Sequence, residues 1–84
     1  MKHELKIWPE FFNAIERGDK TFEIREITEV RDFVIGDLLI LRCWIPGYEY
    51  YDGRELKRIV SYILRGPMFG IQSNYAVLGL KEPR

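Results

Sequence analysis

Residues 18–25 read GDKTFEIR, a turn residue followed by an alternating pattern that is typical of a β-strand. Successive side chains of a strand point to opposite faces, so Phe22 and Ile24 share one face and Glu23 and Arg25 share the other. The apolar pair predicts a strand that packs Phe22 and Ile24 against a core. Glu23 and Arg25 would then lie side by side on the opposite face, together with Thr21.

Lys20 precedes this strand and brings a third charge close to the pair. Alternation would place Lys20 opposite Glu23 if the strand began there, so the three charges meet only if Lys20 lies in the turn after Gly18. One interpretation is an exposed ion network, in which each pair contributes ~0–1 kcal/mol. The other interpretation is the floor of a binding site, and the spacing of the residues leaves both open.

The composition predicts a single globular domain over residues 1–84. Hydrophobic residues make up 46% of the chain, and 13 basic residues balance 13 acidic ones, so a packed core is expected and a long basic surface is not. No segment approaches the ~20 apolar residues of a membrane span, and the first residues lack the apolar stretch of a signal peptide. With only one cysteine, the chain is expected to be cytoplasmic and to have no disulfide.

One helix is predicted early in the chain, over about residues 9–17. Pro9 suits the first position of a helix, where its missing N–H costs little. Phe11 and Ile15 stand four residues apart and share a face, and Gly18 is a typical residue just after a helix.

The rest of the chain reads as short strands separated by turns. The predicted strands cover residues 3–8, 21–26, 38–45, 55–64 and 75–80, with a possible sixth before Asp52. Asp52-Gly53 between strand-forming residues predicts a β-hairpin turn, with Tyr48 to Tyr51 at its tip. Five or six strands and one helix predict a mainly β (α+β) fold, a small closed or nearly closed barrel of mostly antiparallel strands, because closure removes exposed edges.

Few residues offer chemistry outside the 18–25 stretch. His3 and Cys43 are the only histidine and cysteine, which excludes a cysteine–histidine zinc site and leaves no attractive serine–histidine–aspartate triad, so no metal and no cofactor are expected. We expect His3 at the surface and Cys43 buried as a small hydrophobic residue. The late glycines lack the spacing of a phosphate-binding loop.

Basic residues also follow the predicted hairpin turn. Arg54, Lys57, Arg58 and Arg65 form this run, but positions 57 and 58 face opposite sides of a strand. A solvated strand whose long side chains keep their charges in water is therefore as well supported as a track for phosphates.

The 18–25 stretch and its surroundings resemble a known family. The stretch matches G-x-K-x-x-E-x-R, the signature of the ASCH (activating signal cointegrator homology) domains, a branch of the PUA-like β-barrels. Residues 34–37 match the V-x-G-D that leads into a barrel strand of that family. Residues 3–9, H-x-L-K-I-x-P, and residues 70–75 are similar to a small bacterial and phage branch of it. The resemblance covers nearly the whole chain.

The resemblance implies a PUA-like barrel with a ligand cleft between helix and barrel. The motif residues Lys20, Glu23 and Arg25 are then expected to line the cleft. Further candidate residues for its rim are Lys6, Trp8 and Arg54. The implied ligand is a short single-stranded RNA or a nucleotide- or nucleoside-like small molecule, and a protein partner is a further possibility.

Two other functions stay open. One bacterial subgroup of the family hydrolyses N4-acetylcytidine with the motif lysine, a threonine at the position of Glu23 and a distant glutamate. Here a glutamate replaces the threonine, and the distant glutamate has no counterpart. If the chain is such an amidohydrolase, Lys20 and Glu23 are the expected base–nucleophile pair. The third function is a protein-interaction domain that uses the tyrosines of residues 48–51.

Overall fold

The computed structural model describes residues 1–84 and contains five β-strands and one α-helix. These elements are β1 (Lys2–Ile7), α1 (Pro9–Arg17), β2 (Phe22–Glu26), β3 (Leu38–Ile45), β4 (Tyr50–Arg65) and β5 (Tyr75–Lys81). They confirm the predicted mainly β fold with one early helix. The single helix α1 has nine residues, too few for a helix that spans a membrane.

All five strands belong to one curved sheet in the order β1-β3-β4-β5-β2. β1 runs parallel to β3, and the other three neighbouring pairs are antiparallel. β1 and β2 are the two edges of the sheet, and no ladder of backbone hydrogen bonds joins them. The sheet is therefore a half-barrel, and we call the gap between β1 and β2 the seam.

The helix α1 packs against β3 and covers part of the concave side of the sheet. It buries Phe12 and Ile15, whereas Phe11 remains exposed. Gly18 ends the helix in the left-handed conformation, and its N–H donates to the carbonyl of Ile15 at 3.0 Å. Cys43 lies in the same apolar core, as the sequence predicts.

The strand β2 faces the opposite way from the sequence prediction. Phe22 is 43% exposed and Ile24 55% exposed, whereas Glu23 is only 7% exposed and pairs with the buried Leu78 of β5. The prediction assumed that the inner face of this strand contacts the apolar core. At an edge beside the seam, the inner face instead contacts polar groups, and alternation then turns every apolar side chain outward.

The predicted turn at Asp52-Gly53 is also wrong. The chain reverses at residues 46–49, and β4 runs without interruption through Asp52 and Gly53. The β3–β4 ladder shifts register between Arg42 and Trp44, which makes Asp52 and Gly53 extra residues of a bulge. Gly53 has a φ of 96°, a conformation that suits glycine in a bulge as well as in a turn.

His3 is buried, although the sequence suggests a surface position. Its Nε2 lies 2.9 Å from Asp37 Oδ2, and its ring packs on Phe33 with the ring centroids 4.6 Å apart. The N–H of Val34 donates to the same oxygen of Asp37 at 2.9 Å. Burial by itself would raise the pKa of Asp37, but hydrogen bonds from His3, Val34 and the N-terminal ammonium lower that pKa to about 2.

We expect an Asp37→Asn variant to be less stable than the wild type by about 2 kcal/mol at neutral pH, because a pKa lowered from 3.8 to about 2 corresponds to that energy. A depressed carboxyl pKa stabilises the fold above the unfolded value. The difference should therefore shrink as the pH falls from about 4 to about 2.

Urea unfolding of both proteins across this pH range measures the effect. Asp19→Asn, at an exposed carboxylate that binds only Arg17, is the matched control and should change stability by less than ~0.5 kcal/mol. A deficit of Asp37→Asn that does not vary with pH would show that the charge of Asp37 is not what stabilises the fold.

Candidate functional site

A cleft of about 550 Å³ opens along the seam. Its floor carries the charged side chains of Lys20, Glu23 and Arg25. Its walls are apolar and come from the end of β1, from α1 and from β2 and β5. The wall residues are Trp8, Phe11, Phe22, Ile24 and Tyr75. This volume lies within the range of small-molecule sites.

Glu23 is the centre of the floor. Lys20 Nζ lies 2.5 Å from its Oε1, and Arg25 Nε lies 3.0 Å from its Oε2. Lys20 lies in the loop between Gly18 and β2, from which its side chain reaches the inner face of the strand. The three charged residues therefore meet, and they do so because Lys20 lies in the turn after Gly18, as the sequence predicts. The side chain of Glu23 is only 9% exposed, so this carboxylate depends on its two cationic partners.

Arg25 also connects the two edges of the half-barrel. Its Nη2 donates to the carbonyl of Lys6 on β1 at 2.6 Å, while its Nε holds Glu23 on β2. A second arginine, Arg31, reaches the same edge and donates to the carbonyl of Glu4 at 3.4 Å. Guanidinium groups thus occupy edge carbonyls of β1 that a neighbouring strand would otherwise bind.

The floor keeps unused hydrogen-bonding capacity. A carboxylate has about four lone-pair sites, and the contacts of Glu23 with Lys20 and Arg25 use two of them. Lys20 also donates to the carbonyl of Phe22 at 2.6 Å, which leaves one of its three protons. Arg25 uses its Nε and one proton of Nη2, so about three of its five N–H donors remain. A ligand can therefore find both acceptors and donors at the floor.

Aromatic rings flank the floor on two sides. Trp8 and Phe11 stack with their ring centroids 6.2 Å apart and their planes 24° apart, and both remain exposed. Phe22 lies across from them, and the ammonium of Lys20 is 4.8 Å from its ring centroid and 5.7 Å from that of Phe11. A flat ligand that enters the cleft would meet aromatic surface on both sides of Lys20.

Lys6 and Trp8 line the cleft, whereas Arg54 does not. The ammonium of Lys6 lies 4.0 Å over the ring of Trp44, so it is the backbone carbonyl of Lys6 that belongs to the floor network. Arg54 follows the bulge on β4 and reaches α1, where it donates to Asn13 Oδ1 at 2.9 Å. Its Nη2 also lies 3.3 Å from Cys43 Sγ.

Sequence reasoning missed four of the wall residues. The sequence pattern places Phe22 and Ile24 in the core and Phe11 on the buried face of the helix. The sequence predicts Tyr75 as the first residue of a strand and favours a place in the core for its ring. Phe12 and Phe11 lie three and four residues before Ile15, and both spacings fit one helix face, so the pattern alone does not say which phenylalanine is buried. The tyrosines of residues 48–51 do not line the cleft.

No group of three or more histidine, cysteine, aspartate or glutamate side chains is placed to hold a metal ion. Burial raises the pKa of the Cys43 thiol, which disfavours the reactive thiolate.

Comparison with known families places the chain in one of them. The model of a family described as a domain of unknown function, DUF3850, matches residues 2–80, and the chain belongs to this family. No curated protein matches the chain.

We expect Arg25→Lys to destabilise the fold by about 1–2 kcal/mol, because a lysine keeps the charge but cannot hold Glu23 and the Lys6 carbonyl through two separate nitrogens. Arg17→Lys is the control, since Arg17 is exposed and pairs only with Asp19. Urea unfolding compares the three proteins. Equal stabilities would mean that the bridge across the seam contributes nothing to the fold.

Proposed function

We propose that the cleft binds a nucleotide or a short single-stranded RNA and holds one base between its apolar walls. The observation that carries this proposal is the floor: a nearly buried carboxylate, Glu23, held between Lys20 and Arg25 beneath exposed aromatic rings. A nucleobase has two apolar faces and a polar edge, and this cleft combines apolar walls with a polar floor.

The charged residues of the floor would form hydrogen bonds with the polar edge of the base. A free lone pair of Glu23 can accept a hydrogen bond from an exocyclic amine, such as that of cytosine or adenine. The unused donors of Lys20 and Arg25 can bind a ring nitrogen or carbonyl oxygen on the same edge, or a phosphate. Trp8, Phe11 or Phe22 would stack on the base, an interaction worth ~1–3 kcal/mol.

The charge of the chain favours a short ligand. Its 13 basic and 13 acidic residues give no net charge, and two cations, Lys20 and Arg25, lie at the floor of the cleft. Proteins that bind long duplexes neutralise many phosphates. We therefore propose recognition of one or a few nucleotides and no binding of long duplexes.

The same proposal assigns the chain to the ASCH branch of the PUA-like proteins, as a cytoplasmic binding module of bacterial or phage origin. It is supported by the position of the motif, because the lysine, glutamate and arginine of G-x-K-x-x-E-x-R form one network beside the helix. A motif that served only as a surface ion pair would not need a nearly buried glutamate.

Hydrolysis of a modified nucleoside such as N4-acetylcytidine is the second candidate function. It is favoured by the short distance of 2.5 Å between Lys20 Nζ and Glu23 Oε1. Lys20 Nζ, however, already donates to Glu23 and to the carbonyl of Phe22, whereas a nucleophilic lysine needs a free electron pair aimed at the substrate. The pair is therefore better suited to binding than to attack on an amide.

Binding of short RNAs of different base composition tests the first function. With at most two phosphate contacts, from Lys20 and Arg25, affinity should fall by less than about tenfold between ~50 and ~200 mM salt. Glu23→Gln should weaken the preferred base by ~10–100-fold and leave the other bases nearly unchanged, since it removes an acceptor that reads the base edge. Glu55→Gln, at an exposed carboxylate of β4 outside the cleft, is the control.

A steep dependence on salt, or a Glu23→Gln variant that binds every RNA equally weakly, would show that the phosphate backbone is read and would contradict the proposal. Fluorescence anisotropy with end-labelled RNAs gives both quantities in one experiment.

Incubation with N4-acetylcytidine separates binding from hydrolysis. We expect no release of cytidine above the blank, and no difference between the wild type and Lys20→Ala. Release that Lys20→Ala abolishes would establish the second function in place of the first. Chromatography of the nucleosides measures the outcome.

A further inference from the structure

The free edge of β2 turns main-chain groups toward the seam. At one end of the strand, the carbonyl of Thr21 accepts from the N–H of Leu80 at 2.9 Å. At the other end, the N–H of Ile27 donates to the carbonyl of Asn74 at 2.7 Å. The odd-numbered residues of this segment therefore bind β5. Because these directions alternate along an antiparallel ladder, the even-numbered residues turn both their N–H and their C=O toward the seam.

Ile24 is the residue of this edge whose two main-chain groups are both free in the middle of the cleft. The carbonyl of Phe22 already accepts from Lys20 Nζ at 2.6 Å. Across the seam, the carbonyl of Lys6 accepts from Arg25 Nη2 at 2.6 Å. No ladder joins β1 and β2, so the N–H and C=O of Ile24 have no partner within the chain.

These free groups lie directly beside the charged floor. Ile24 lines the cleft, and its neighbours in the chain, Glu23 and Arg25, supply the carboxylate and the guanidinium of the floor. Main-chain groups at such a position need a partner, either water or a ligand. The cleft therefore offers one donor and one acceptor from the main chain, together with the free lone pairs of Glu23, on a strand that holds them in a fixed arrangement.

This arrangement matches a particular kind of base edge. The N–H and C=O of one residue flank one Cα and point the same way, and in a ladder they bind a partner that has an acceptor beside a donor. An amino group next to a ring nitrogen has the same pattern, as in cytosine and adenine. Such an amino group also has a second hydrogen, which remains for a carboxylate. Uracil has a carbonyl oxygen in place of the amino group of cytosine, and that oxygen would lie against the carboxylate.

We propose that the main chain of Ile24 and the side chain of Glu23 together select bases with an amino group beside a ring nitrogen. The ring nitrogen accepts from the N–H of Ile24, and the two amino hydrogens bind the C=O of Ile24 and a carboxylate oxygen of Glu23. This inference rests on the proposed function and adds the class of base to it. Cytosine and adenine are accepted, whereas uracil and hypoxanthine are rejected.

The four corresponding nucleoside 5′-monophosphates test the class of base. We expect CMP or AMP to bind the wild type at least ~10-fold more tightly than UMP and inosine monophosphate, because the latter two leave an acceptor of the site unpaired. Isothermal titration calorimetry measures the dissociation constants. UMP or inosine monophosphate that binds as tightly as both amino-bearing nucleotides would overturn the inference.

An analogue without the ring nitrogen isolates the contact with the N–H of Ile24. In 3-deaza-CMP a C–H replaces this nitrogen, and the analogue should bind the wild type ~10-fold more weakly than CMP. If AMP is the tighter ligand, 1-deaza-AMP and 7-deaza-AMP take its place. Ile24→Pro removes the N–H, and proline is tolerated at a strand edge where the N–H points away from the ladder. In this variant, the parent nucleotide and its deaza analogues should bind equally weakly.

Glu4→Pro is the matched control for the proline substitution. The carbonyl of Glu4 accepts from Arg31 at the seam edge of β1, so the N–H of Glu4 faces the seam as well, but Glu4 does not line the cleft. This variant should keep the ~10-fold preference of the wild type for the parent nucleotide. Circular dichroism shows whether each variant is folded. A folded Ile24→Pro protein that keeps the preference would overturn the inference.

The amide signal of Ile24 gives the answer in the wild type, without any variant. Hydrogen bonding to the ring nitrogen should move this proton signal downfield with CMP or AMP, and the move should be lost with the deaza analogue that lacks the bound nitrogen. Nucleotides that bind while every deaza analogue binds as tightly as its parent would overturn the inference and leave the proposed function standing. Absence of binding by all nucleotides would overturn both.

Discussion

The rest of the structure depends on how the half-barrel binds the backbone groups at its two free edges. β1 and β2 lie beside each other without pairing, and unpaired backbone groups at an edge need other partners. Arg25 supplies one by binding the Lys6 carbonyl, and Arg31 supplies another for Glu4. The guanidinium of Arg25 is in turn held by Glu23. A side-chain network therefore replaces a strand ladder, and it leaves a cleft that a ladder would have closed.

This constraint determines which way β2 faces. Glu23 must point inward to hold Arg25 and Lys20, and the period of two then sends Phe22 and Ile24 outward. The exposed apolar side chains lose the free energy that burial in a core would give, about 25 cal/mol per Å². Two surfaces result from this one orientation. The inner side of β2 is the polar floor of the cleft, and its outer side is part of an apolar patch.

The features that sequence predicts well are local ones. The helix over residues 9–17 follows from Pro9 and Gly18, and the meeting of Lys20 with Glu23 follows from a turn only a few residues away. The features that it misses depend on distant partners. His3 is buried because Asp37, far along the chain, binds it, and β2 is inverted because β1 lies across the seam. Asp52-Gly53 fits a turn and a bulge equally well, and the reversal at residues 46–49 decides between them.

The central claim is that the seam between β1 and β2, with Glu23 at its floor, is the binding site for a base. Amide chemical shifts during titration with each of the four nucleoside 5′-monophosphates test it most directly, with ribose 5-phosphate as the matched ligand that lacks a base. We predict saturable shifts confined to residues 6–11 and 20–26 for at least one nucleotide, and none of comparable size for ribose 5-phosphate. Equal shifts with ribose 5-phosphate, or shifts centred on residues 48–51, would contradict the account.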